Sequence, residues 1–319
     1  MPDTLPTAPK PRLPAAFSGL RLPAIASPMF LASGPDLVVE TCKAGLVGTF
    51  PALNQRSTAG FVDWLDEITE RRAGHAPYGV NLIVHKSNTR LEADLAQIVA
   101  HKVPLVISSL GSVREVVEAV QSYGGLVFHD VISRRHGAKA AKAGVDGLIA
   151  VAAGAGGHAG TLSPFALIPE LRQVFDGTIV LGGAISTGAQ IAAARMLGAD
   201  MAYLGTRFLA TREAMIEPDY KEMILASASA DIQYTPAISG VNTNFMRPSM
   251  VRAGLDPDNL PQAGRLNLEH EAKAWKTVWS AGQGVGSIDD LPSTADLCDR
   301  LVQDYRAAMQ SAAQDPFAQ

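Results

Sequence analysis

Cysteine is nearly absent from this chain. Cys42 and Cys298 lie near opposite ends with no CxxC or CxxH companion, so neither a disulfide framework nor a zinc site is expected, and a reducing cytoplasm is the simplest compartment. Charge is also scarce, at 18% of residues against the usual value of about 25%. A net charge of −4 and a pI near 6.0 give no electrostatic footprint for nucleic acid or an anionic membrane. The longest apolar run, Gly147 to Gly157, is too short to span a bilayer. The stretch from Met1 to Arg12 is rich in proline and has no apolar h-region, so residues 1–20 read as an extended arm and not a signal peptide. No GxGxxG follows the first β-rich run, which argues against a doubly wound dinucleotide fold.

What remains is a 319-residue chain, 47% apolar, with ample material for a core. Short β-rich runs alternate with segments of helical period. The runs are Ala24 to Met29, Val47 to Ala52, Tyr78 to Val84, Leu105 to Leu110, Leu126 to Val131, Leu148 to Ala153, Ile179 to Gly183 and Met201 to Thr206. Between them lie helix candidates such as Pro35 to Ala44, Thr58 to Arg72 and Ser163 to Phe175, the last with Ser163 as cap and Pro164 at the first helical position. This order predicts an α/β fold, a (β/α)8 TIM barrel over 21–213. Residues 214–286 predict a small, mostly helical domain covering the substrate. Residues 287–319 carry a helical stripe of Leu297, Leu301, Tyr305 and Ala308 and are expected to return to the barrel as its terminal helix.

In such a barrel, ligands sit at the C-terminal ends of the strands. The last two strands end in "VLGGAIST" and "YLGTRF", where Gly182, Gly183 and Gly205 can turn backbone amides toward an anion, so a phosphate-bearing ligand is expected; tight βα turns are the plainer reading. Arg207 and Arg212 are candidates to neutralise a phosphate or are simply solvated charges. Asn81 suits the edge of a planar heterocycle or caps the following turn. His129 and Asp130 form a potential local pair. Strand six opens into "GAGGHAG" at 154–160, which presents His158 among glycines, either as a proton-transfer group or as a structural histidine.

Taken together, Ser27-Pro28-Met29, "GVNL" at 79–82, "AGGHAG" at 155–160, "LGGAIST" at 181–187, "GADMAYLGTRFLAT" at 198–211 and "WSAGQGVG" at 279–286 resemble the FMN-dependent nitronate monooxygenase family. The resemblance runs from about Leu22 to Leu291. It implies a noncovalent FMN with its phosphate on Gly182, Gly183, Gly205 and Thr206, its ring against Ser27, Pro28, Met29 and Asn81, and further contacts from Gly156, Gly157 and Gln283. It implies His158 as the catalytic base, oxidation of alkyl nitronates to a carbonyl compound and nitrite with O2, no metal, and a possible homodimer. The alternative within the resemblance is an NAD(P)H-dependent FMN reductase of quinones or enoyl thioesters; a noncatalytic flavin-binding barrel is a third reading. Two positions depart from the family pattern: Gly154 stands where an acidic residue is common, and Asp130 where lysine is common.

Overall fold

Strands buried on both faces are rich in apolar residues, and all eight β-rich runs become barrel strands. The computed structural model describes residues 12–85, 87–111, 113–264 and 275–318. In chain order the strands are β1 (Ala24–Ala26), β2 (Val47–Pro51), β3 (Tyr78–Ile83), β4 (Leu105–Ser109), β5 (Leu126–Val131), β6 (Gly147–Val151), β7 (Gly157–His158), β8 (Thr178–Gly182), β9 (Met201–Leu204), β10 (Ile232–Thr235) and β11 (Thr243–Met246). The helices are α1 (Pro35–Lys43), α2 (Thr58–Arg71), α3 (Leu91–Ala100), α4 (Arg114–Gln121), α5 (Arg134–Lys142), α6 (Pro164–Arg172), α7 (Gly188–Met196), α8 (Thr206–Leu209), α9 (Pro218–Leu225), α10 (Arg247–Arg252) and α11 (Thr294–Ala313).

Strands β1–β6, β8 and β9 pair in that order, all parallel, and β9 closes on β1 through Ala24↔Ala202 and Ile25↔Tyr203. This is the (β/α)8 barrel that the alternation predicts. Several strands stop one to two residues short of the expected C-terminal end, and β1 stops at Ala26, because the chain flares there into the loops of the mouth. The interior is filled by Ile25, Val47, Leu105, Ile107, Phe128, Ile149, Val180 and Met201. Gly79 and Gly147 make room for that packing: a Cβ on Gly147 would lie 2.5 Å from the Phe128 ring.

Residues 1–11 of the expected arm lie outside the described residues. Farther along it, Phe17 plugs the bottom of the barrel, 1% exposed, its ring edge-on to Phe128 at 5.9 Å. Phe17→Leu keeps the plug apolar but loses the ring pair, and should lower the unfolding free energy by about 1–2 kcal/mol in urea titration. A shift of less than a few tenths would show that the barrel bottom closes without Phe17.

After α8 the chain leaves the barrel, builds a covering lobe over its mouth, and returns as α11, which packs on α7 and α1 with Leu297, Cys298, Leu301 and Val302 buried. Besides α9 and α10, the lobe contains an antiparallel sheet, β10–β11–β7, which the mostly helical reading omitted. Its strands span only four, four and two residues, too few to show alternation in sequence. Among the described residues, no helix is long and apolar enough to cross a membrane.

Candidate active site

The barrel mouth and the lobe enclose a cavity of about 1430 Å3. Typical small-molecule pockets measure roughly 300–1,000 Å3, so this one has room for a cofactor and a substrate together. The residues singled out in the sequence converge on it from the loop after β1 (Ser27, Pro28, Met29), β3 (Asn81), the β6–β7 loop and β7 (Gly156, Gly157, His158) and the ends of β8 and β9 (Gly182, Gly183, Gly205, Thr206). Gln283 is the exception. Its side chain is exposed and its backbone N–H donates to the Gly154 carbonyl at 2.9 Å, while its neighbours Gly282 and Gly284 line the cavity.

The glycines of "GAGGHAG" answer to crowding by the lobe. Gly157 has φ 70°, a left-handed conformation that favours glycine, and its N–H donates to Ser280 Oγ at 2.8 Å. A Cβ on Gly156 would meet the Gly282 nitrogen at 2.8 Å. The loop then becomes β7 and pairs with β11 through Thr243↔His158 and Asn244↔Gly157, while Asn244 Nδ2 donates to the Ala155 carbonyl at 2.7 Å. The lobe's sheet therefore holds the backbone of His158. Trp275 stands edge-on to it, ring centroids 6.1 Å apart, and also packs against Phe30 and Phe245.

The β8–β9 side offers backbone. Gly183 has φ 144°, and a Cβ there would lie 2.9 Å from the Ala153 carbonyl oxygen. A Cβ on Gly205 would lie 2.8 Å from Ser27 Oγ. Thr206 Oγ1 accepts from the Gly282 N–H at 2.8 Å, which leaves its own proton to donate. A cleft kept clear of side chains, with a hydroxyl at its edge, fits a phosphate-bearing group. Arg207 takes no part in it. The guanidinium is buried, tied to the Ala210 carbonyl and to Asp290, and burial lowers its pKa. It fastens the barrel to the segment before α11, so neither the phosphate partner nor the solvated charge of the sequence reading applies. Arg212 is exposed and lies off the cavity lining.

On the barrel floor, Asn81 Nδ2 donates to the Ile107 carbonyl at 3.0 Å and to Ser109 Oγ at 2.7 Å. Both amide hydrogens are thereby engaged within the protein, and Oδ1 is what remains for a ligand. His129 and Asp130 do not pair. Consecutive strand residues face opposite ways, and each instead meets β4: His129 Nδ1 lies 2.9 Å from Ser108 Oγ, and Asp130 Oδ2 accepts a short bond from Ser109. Burial pushes the His129 imidazole down to about 4 and the Asp130 carboxyl up to about 6, the latter against opposing pulls from the Ser109 hydroxyl and His158. Backbone strain gathers here as well: Leu31 (φ 61°), Leu110 (φ 61°) and Ala184 (φ 54°) all hold left-handed conformations on the cavity lining.

Over residues 13–304 the sequence matches the nitronate monooxygenase family. The chain belongs to that family. Its members are flavin-dependent oxidoreductases, and this chain is an enzyme of that class. It is similar to a nitronate monooxygenase of Paraburkholderia phytofirmans, 27% identical over 93% of this chain and 95% of that protein. It is also similar to the (3aS,4S,5R,7aS)-5-hydroxy-7a-methyl-1-oxo-octahydro-1H-indene-4-carboxyl-CoA dehydrogenase of Rhodococcus jostii, 23% identical over 90% of this chain and 93% of that protein. The nitroalkane oxidase structure from Streptomyces ansochromogenes superposes with a TM-score of 0.81 at 23% identity, covering 92% of this chain and 98% of that one, a likeness of fold.

Trp279, from the "WSAGQGVG" motif, is mainly core of the lobe, 4% exposed and stacked on Tyr220 at 4.6 Å. The indole that meets His158 is Trp275, which no nitronate monooxygenase motif quoted above contains. Ser109 was likewise missed. Ser109 lies within the fourth run, and its bonds to Asn81 and Asp130 depend on the strand register alone.

Proposed function

We propose that this enzyme binds FMN and oxidises alkyl nitronates to a carbonyl compound and nitrite at the expense of O2, with His158 as its proton acceptor. The observation that carries this reading is the placement of His158 on the lining of a cavity that also holds, at β8 and β9, a backbone-walled cleft suited to a phosphate. Gly182, Gly183, Gly205 and Thr206 would hold the phosphate, with Ser27 to Met29 and Asn81 along the ring. Bound there, FMN would supply the electron acceptor. His158 takes the α-proton of a neutral nitroalkane or, as imidazolium, holds the charge of a nitronate. Trp275 and Phe30 keep water from the imidazole's side of the cavity, which strengthens that ionic contact.

The cavity volume favours a second reading, reduction or dehydrogenation of a larger thioester. Leu31, Leu53, Leu110 and Val113 extend the lining well beyond the needs of a small nitronate, and the exposed Arg56 and Lys139 line it too. The indene-carboxyl-CoA dehydrogenase among the relatives makes that class concrete. The two readings separate on anaerobic mixing with NADH and NADPH, followed at the flavin band, alongside nitrite release from ethyl nitronate in air. Nitronate oxidation predicts nitrite and no rapid bleaching by nicotinamide. Rapid bleaching without nitrite would replace it with the thioester reading.

A further inference from the structure

Three side chains on neighbouring strands form a hydrogen-bonded chain that ends on the Asp130 carboxyl. Ser109 Oγ accepts from Asn81 Nδ2 at 2.7 Å, and its single proton goes to Asp130 Oδ2. Oδ2 is therefore the accepting oxygen of the Asp130 carboxyl, and a proton bound by this group resides on Oδ1. That atom is buried and has no hydrogen-bond partner among the described residues, although Asp130 itself lines the cavity. A buried oxygen with no donor is costly as part of a carboxylate, whereas as O–H it is a donor in want of an acceptor.

We propose that Asp130 is the second proton-carrying group of the site: as an acid, its Oδ1–H donates to the ring system of the bound cofactor, and ionisation withdraws that bond. The proposal rests on the flavin reading given above. Where the family often carries a lysine, this chain then offers a donor without a permanent charge. The groups that face Asp130 agree with it. Ser109 on β4 and Tyr203 on β9 are neutral, and His158 on β7 is the titratable base whose charge favours the carboxylate. Burial outweighs that pull and brings the carboxyl up to about 6, and a ring laid over the barrel mouth excludes more water and pushes it the same way.

The sign of the linkage makes this testable on the full chain. Because the folded carboxyl holds its proton to higher pH than an unfolded one, the stability it contributes is present at acid pH and is lost as pH rises through about 6. Asp130→Asn keeps an N–H donor and cannot ionise. Its thermal midpoint should therefore pull ahead of the wild type between pH 5 and pH 8, with the two meeting at the acid end. Ser109→Ala removes the bond that favours the carboxylate, so the wild-type decline should move to higher pH.

The donor role is read from FMN affinity by fluorescence quenching over the same range. FMN's own phosphate titrates near pH 6, so the comparison is between variants. Wild-type affinity should fall about tenfold more than that of Asp130→Asn from pH 5 to pH 8. Tight FMN binding with parallel wild-type and Asp130→Asn curves, or thermal midpoints of the two that stay parallel from pH 5 to pH 8, overturns the proposal for Asp130 alone. A chain that takes up no FMN at either pH instead overturns the flavin reading, and the donor's target with it.

Discussion

Replacing His158 with Asn should cut turnover of neutral nitroalkanes by about 10²- to 10⁴-fold, the usual cost of losing a general base, and slow pre-ionised nitronates far less. The selectivity follows from the chemistry, since a nitronate has no α-proton left to remove. The architecture makes the variant a clean one. The ladder that fixes position 158 is main chain pairing with Thr243, so it survives a change of side chain, and Trp275 meets a group of similar size. Steady-state rates on both substrate forms, with the flavin spectrum as the control for integrity, check it. Equal losses on nitroalkane and nitronate would make His158 a structural residue.

A carboxylate placed in the β8–β9 cleft should expel the cofactor. Gly183 is a poor site for it, because φ 144° and the nearby Ala153 carbonyl would damage the backbone first. Gly205 is a better one. It has φ −107°, it is the N-cap of α8, where aspartate is a favoured residue, and the nearest obstacle to a Cβ is the movable Ser27 hydroxyl. Gly205→Asp should thus fold and yet put a negative charge within about 4–5 Å of the FMN phosphate, at a cost of roughly 3 kcal/mol or about a hundredfold in affinity. FMN titration of Gly205→Asp beside Gly205→Ala checks this. Similar affinities in the two variants would mean that the phosphate lies elsewhere.

The barrel was legible because parallel strands buried on both faces are rich in apolar residues, and the helix starts carry local signals, such as Ser163 accepting from the Phe165 N–H with Pro164 behind it. That the glycine-rich strand ends gather at one mouth was legible for the same reason, since the fold itself dictates where they meet. The lobe was less legible. Strands of four residues have no measurable period, and Gly157–His158 becomes a strand only because β11 is beside it. Arg207 reads as a phosphate partner or a solvated charge because nothing adjacent in sequence announces Asp290 as its partner. The Asn81–Ser109–Asp130 chain was hidden in the same way, each link being set by the register of a neighbouring strand.

The pairing of β7 with β11 bears on how such enzymes can be recombined. The proposed proton acceptor belongs to the barrel's stretch of chain, but the lobe holds its backbone, through Thr243, Asn244 and Ser280. A chimera that imports a foreign lobe onto this barrel also imports a new bearing for His158, unless the β6–β7 loop travels with it. Any movement of the lobe would carry the backbone of His158 with it.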